Sequence, residues 1–137
     1  MIDSAPAPAV ESHEVLARYV LHSSWIRSSL GTLKPDAFIP PSPAELSVTR
    51  HLQATDEDLW SVGREVASAQ GRTLYGRGDI SVPACRSHGL SVAADPVLGN
   101  LNHAIVIGWP TAKPEQKTIA QKLAAAATFV RVATPTE

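Results

Sequence analysis

The chain has 137 residues, enough for one domain with a single core and no covalent staples. Its 12 basic and 13 acidic side chains give a net charge of −1, and 44% of its residues are hydrophobic. That balance supplies no global electrostatic pull toward nucleic acid or a membrane surface. One cysteine, Cys85, excludes an intrachain disulfide and a cysteine zinc cage, and it fits a cytoplasmic setting. No apolar run approaches the ~20 residues that span a bilayer, so no membrane partner is expected. The N-terminus lacks a charged region leading into an apolar one, so it does not read as a secretory signal.

Residues 1–10 are rich in alanine and proline and read as a flexible tail, as do residues 132–137. Residues 11–131 are expected to form one α+β domain. A first helix is expected from about Ser12 to about Ile26. Ser12 is its N-cap candidate, and Val15, Leu16, Tyr19 and Val20 recur at helical spacing. Gly31 is its stop. Pro35, Pro40, Pro41 and Pro43 exclude a regular helix or a central strand over residues 32–45. That segment reads as extended surface chain, anchored by Phe38 and Ile39. Leu46 to His51 alternates apolar and polar side chains, as a short strand does.

Helix two has the clearest signals. Thr55 precedes three carboxylates, Asp56, Glu57 and Asp58, which suit the positive end of a helix. Leu59, Val62, Val66 and Ala69 form its apolar stripe, and Gly71 suits its C-terminal end. A third helix is expected from near Pro114, with Ile119, Leu123, Ala126, Ala127 and Val130 on its buried face. Between these helices, Thr73–Tyr75, Ile80–Val82, Leu90–Ala93 and Ala104–Ile107 are candidate strands separated by glycine and proline. The expected fold is a small mixed sheet of three or four short strands packed by two or three helices.

No sequence pattern specifies a reaction. Arg77-Gly78-Asp79 reads as a turn rather than an adhesion motif. Tyr75-Gly76-Arg77-Gly78 lacks the rest of a phosphate-binding loop. The histidines show no metal-ligand spacing, and neither metal nor cofactor is expected. Cys85, after Pro83-Ala84, has the setting of an inert buried thiol. Eight arginines against four lysines favour bidentate anion recognition. Arg50, Arg72, Arg77, Arg86 and His88 fall near strand ends or turns and are the candidate ligand-binding residues. His51 and His103 are the candidate acid–base groups at the rim of the same cleft. The alternative is that these arginines pair with Asp79, Asp95, Glu65 and the helix-two carboxylates. Trp25, Trp60 and Trp109 are candidate interface anchors, and equally candidate core edges.

Two functions follow from these residues. One is a non-enzymatic subunit or adaptor in a larger assembly, with a protein partner or a second copy of itself. The other is a metal-independent enzyme or sensor that holds a phosphate-containing ligand, a nucleotide or RNA, in the Arg/His cleft.

Overall fold

The structure, a computed structural model, describes residues 8–132 of the chain. Eight strands and three helices occur in the order β1 (Val15–Val20), β2 (Ile26–Arg27), β3 (Thr32–Leu33), β4 (Leu46–Arg50), α1 (Asp56–Ala69), β5 (Gly76–Ser81), α2 (Val82–Arg86), β6 (Ser91–Ala94), β7 (His103–Ile107), α3 (Lys113–Ala126) and β8 (Thr128–Arg131). Six strands form one sheet in the order β6-β7-β4-β1-β5-β8, and β2 pairs with β3 as a separate ribbon. The fold is α+β as expected, but the sheet is larger than three or four strands. Its ladders are antiparallel throughout rather than mixed.

The largest difference is β1. The segment expected to be a helix is one of the two central strands of the sheet, between β4 and β5. Leu16 and Val20 face one layer, and Ala17 and Tyr19 face the other; all four are buried. A strand covered on both faces is apolar in consecutive positions, and such a run fits helical spacing equally well. β5 holds the second difference. Arg77-Gly78-Asp79 lies inside this strand, not in a turn, and pairs with β1 on one side and β8 on the other. Thr73–Tyr75 leads into β5 without joining a ladder.

One sheet face is covered by α2, α3 and the 3-10 turn Pro35–Phe38. Leu16, Val20, Leu46, Val48, Ile80, Val106, Phe38, Ala120 and Leu123 form its core. The proline-rich segment is thus partly core: Leu33, Ala37 and Phe38 are buried, and Phe38 anchors it as expected. Gly78 makes room for that anchor, because a Cβ there would lie 2.6 Å from Leu33 Cδ1 and 3.0 Å from Phe38 Cζ. α3 buries Gln116, Ala120, Leu123 and Ala124. It ends before Val130, which belongs to β8 rather than to the helix.

The opposite face carries α1 alone. Thr55 Oγ1 accepts from the Asp58 amide while the Asp58 carboxylate accepts from the Thr55 amide. A cap of this kind is worth about 1 kcal/mol. Leu59, Gly63 and Ala67 are the buried positions of α1. Gly63 lets the helix approach closely, since a Cβ there would lie 2.7 Å from Tyr19 Cε1. Tyr19 Oη donates to the Leu59 carbonyl at 2.7 Å. α1 covers the β1–β5 side and leaves the β4–β7–β6 side more open. There Ser47 and Ser91 are exposed and Ile105 and Ile107 half-buried.

Most of the expected tails lies outside the described residues. Within them, the Pro8 and Ala9 carbonyls accept from Arg50, and Val132 is buried, so the folded part reaches beyond 11–131 at both margins. No helix among the described residues is long and apolar enough to cross a membrane.

Candidate functional site

The arginines and histidines of the expected cleft divide into separate groups. Arg50 is 1% exposed and is bound on all sides. Its Nε and Nη2 each donate to a Glu14 carboxylate oxygen at 2.7 Å, and its remaining donors reach the Pro8 and Ala9 carbonyls. The hydrogen bond and charge of Arg50 hold the Glu14 carboxyl below its ordinary range.

Arg77 is also held internally, although its buried Nη1 has no hydrogen-bond partner among the described residues. Its Nε donates to Asp79 Oδ1 at 3.0 Å, and its Nη2 donates to Asp56 Oδ1 at 3.0 Å. Its guanidinium lies 4.7 Å from the centre of the Trp60 ring. His51 Nε2 joins the same Asp79 oxygen at 3.0 Å. This network ties β5, β4 and the first turn of α1 together, which is the structural alternative for Arg77. Arg86 and His88 lie at and after the end of α2, on the other side of the sheet. Arg86 reaches the Val10 carbonyl at 3.4 Å. Trp109 is buried, and its indole nitrogen donates to the Val106 carbonyl at 2.9 Å. Trp60 and Trp25 are half-buried.

A cavity of about 490 Å³ does form between the end of β1, β4 and the end of α1, from a partly different set of residues. Arg18, Tyr19, Leu21 and His22 of the β1 strand and its exit line it, with Trp25, Ile39 and Pro41. Ser47–Thr49 of β4, Val66 of α1, Gln70 just after its end, Asn100 and His103 complete the lining. The sheet itself creates this groove. The β1–β4 register runs over Leu16↔Arg50 and Ala17↔Thr49 and goes no further toward Val20. Arg18 occupies the opening: its Nε donates to the Ala37 carbonyl at 2.8 Å and its Nη1 to the Ser47 carbonyl at 3.1 Å. Its guanidinium lies 5.5 Å from the Trp25 ring centre. Burial lowers Arg18 to about 10, which leaves it charged at neutral pH.

Another part of the lining is ordered by side chains. Asn100 Nδ2 donates to Thr49 Oγ1 at 2.9 Å. His103 Nδ1 lies 2.9 Å from the Asp95 carbonyl oxygen and 3.1 Å from Asp95 Oδ2. A carbonyl only accepts, so this contact assigns a hydrogen to Nδ1 and leaves Nε2 as the second ring position. A smaller hollow of about 260 Å³ adjoins the groove through Leu21 and His22 and is lined by Ser23, Ser24, Gly71, Arg72, Thr73 and Tyr75. Gly71, at φ 65°, ends α1 in the left-handed region and turns the chain so that Arg72 follows at this hollow.

Neither lining contains Asp or Glu. Among the described residues, no carboxylate pairs with Arg18 or Arg72. No cluster of three His, Cys, Asp or Glu side chains gathers there as a metal would need. Comparison with protein-family models, with curated proteins and with solved structures finds no match to this chain. Function therefore rests on the geometry of the site.

Of the expected residues, the structure brings Arg72 and His103 to neighbouring hollows and places Arg50, His51, Arg77, Arg86 and His88 elsewhere. Arg18 and His22 are the residues that sequence reasoning missed. The signal was present in Arg18, a charge in the middle of the apolar run Val15-Leu16-Ala17-Arg18-Tyr19-Val20. Read as a helix, that charge falls on a solvated face; read as a central strand, it needs an explanation.

Proposed function

We propose that the protein is a binding module for a phosphate-bearing ligand, seated in the Arg18–His103 groove and its Arg72 extension. The observation that carries this reading is the Arg18 guanidinium. It is half-buried, donates to two carbonyls beside the Trp25 ring, and opens on a groove without acidic lining among the described residues. A charge in such a place is unfavourable until an anion joins it, and guanidinium geometry matches phosphate through paired N–H donors. The lone thiol Cys85 keeps the cytoplasmic setting with this reading.

Thermal shift with inorganic phosphate and pyrophosphate tests it. Both are expected to raise Tm at low salt, and less so as ionic strength rises. Arg18→Gln is expected to weaken binding about tenfold or more, as loss of a charged hydrogen-bond partner does. Arg72→Ala, at an exposed position, is expected to weaken it only a few-fold. Absence of any shift across these anions, with the wild-type protein folded, overturns the reading.

One observation favours the subunit reading as a second possibility. At the turn between β6 and β7, Leu98 is 85% exposed and Leu101 58% exposed. Apolar side chains displayed together on a turn suit a protein contact. If the chain works as a subunit through this turn, with a second copy as partner, sedimentation is expected to show concentration-dependent association that Leu98→Ser abolishes. A monomer at all concentrations removes self-association from this reading.

A further inference from the structure

The two hollows share Leu21 and His22, and the His22 ring continues into Trp25 on the side of the larger one. The His22 and Trp25 rings lie 4.5 Å apart with their planes 42° from parallel. Trp25 lines the larger hollow, where Arg18 stands, and His22 lines both hollows. Arg72 stands in the smaller one. Two tilted aromatic rings thus form a ledge that borders the hollow of Arg18 and, through His22, that of Arg72.

Burial, with Arg72 and then Arg18 nearby, pushes the His22 imidazole below its ordinary range, which favours the neutral ring. A neutral ring is an apolar surface with a hydrogen-bonding edge, suited to stacking. The exposed Ser23, Ser24 and Thr73 beside it supply hydroxyls that accept or donate. Inorganic phosphate would use the guanidinium groups and leave this ledge unoccupied.

We infer that the groove takes a nucleobase together with its phosphate, the base lying against the His22–Trp25 ledge and the phosphate meeting Arg18 or Arg72. This inference rests on the anion-binding reading and adds a base subsite to it. Aromatic side chains beside cationic ones are the general means by which proteins hold unpaired bases. The same chemistry is presented by a free nucleotide and by a single-stranded RNA. The arrangement of one cation in each hollow that the ledge borders suits both, and the probes below separate them.

The test compares pyrophosphate, AMP and a short oligoadenylate, read by calorimetry and by tryptophan fluorescence. AMP is expected to bind more tightly than pyrophosphate and to quench the fluorescence. Trp25→Phe is expected to remove that quenching, whereas Trp60→Phe retains it. His22→Ala is expected to weaken AMP about tenfold and to weaken pyrophosphate much less, since a stacked base contributes on that scale. Tighter oligoadenylate than AMP, with salt dependence to match, assigns an RNA strand as the source; equal affinities assign the mononucleotide. Overturning is equally direct. If pyrophosphate binds and AMP gains nothing over it, or if His22→Ala binds AMP as wild type does, the base subsite fails while the anion site stands. If none of the three binds, both readings fail together.

Discussion

Arg50→Ala is expected to destabilise the protein by about 3–5 kcal/mol, the scale for breaking a buried ion pair from one side. The Arg50 and Glu14 side chains are 2% and 4% exposed and meet through two short hydrogen bonds. Removing the guanidinium leaves a buried carboxylate without its partner and frees the Pro8 and Ala9 carbonyls. The loss is a large share of the ~5–15 kcal/mol that holds a typical domain together. Urea denaturation at neutral pH measures it. Replacing both partners by apolar groups of similar shape, Glu14→Leu with Arg50→Met, is expected to recover most of the loss, because the desolvation cost disappears with the attraction.

The same pair gives stability a pH dependence whose sign is fixed. Glu14 titrates lower when folded than when unfolded, so its contribution is complete above the unfolded carboxylate range. It is lost as pH falls through the folded value, a window from about pH 5 downward. Wild-type stability should drop across that window, and the drop should be shallower in the Glu14→Leu/Arg50→Met protein. A steep, unchanged acid limb in the double variant would assign the acid sensitivity to other carboxylates.

Phe38→Ala is expected to cost about 3–5 kcal/mol, as deletion of a fully buried aromatic ring does. Phe38 is 0% exposed and fills the space that Gly78 leaves on β5. The converse change, Gly78→Ala, forces a methyl group toward Leu33 and Phe38, and overpacking costs about 1–3 kcal/mol. Because the two positions share one volume, Gly78→Ala combined with Phe38→Leu is expected to cost less than the sum of the single changes. Strict additivity would show that the ring and the strand do not share that space. The Pro35–Phe38 turn also carries the Ala37 carbonyl that holds Arg18. Phe38→Ala should therefore weaken anion binding as well as stability, although residue 38 does not line the groove.

How far the fold is legible in the sequence differs element by element. α1 announces itself through Thr55 and three carboxylates, and the structure forms the cap they suggest. α3 follows its proline, which stands in the first turn. β1 is opaque because both of its faces are covered: Leu16 and Val20 on one side and Ala17 and Tyr19 on the other leave no alternation to read. β5 is opaque for a different reason. Its glycines and its Arg77–Asp79 pair resemble a turn locally. Gly78 is explained by Phe38 and Leu33, Gly76 by Phe129 and the Val130 backbone, and the charges by Asp56 and His51, all distant in sequence. The site follows the same logic. Arg72 and His103 could be singled out by residue type, but Arg50 and Arg77 looked equally eligible until their partners were known. Arg18 became visible only once its segment was a strand.

The position of β1 also sets the order in which the molecule can assemble. Its ladder partners come from far along the chain: Leu16 meets Arg50, and Val15 meets Ser81. The helices and the neighbouring strands β6 and β7 need only local chain to form. β1 must wait for β4 and for β5, which lies beyond α1. Chain entropy is spent on those long closures before their contacts repay it, so topology rather than helix formation governs the refolding time. The groove at Arg18 lies on that late strand, so the binding site comes into being only when the sheet is nearly complete.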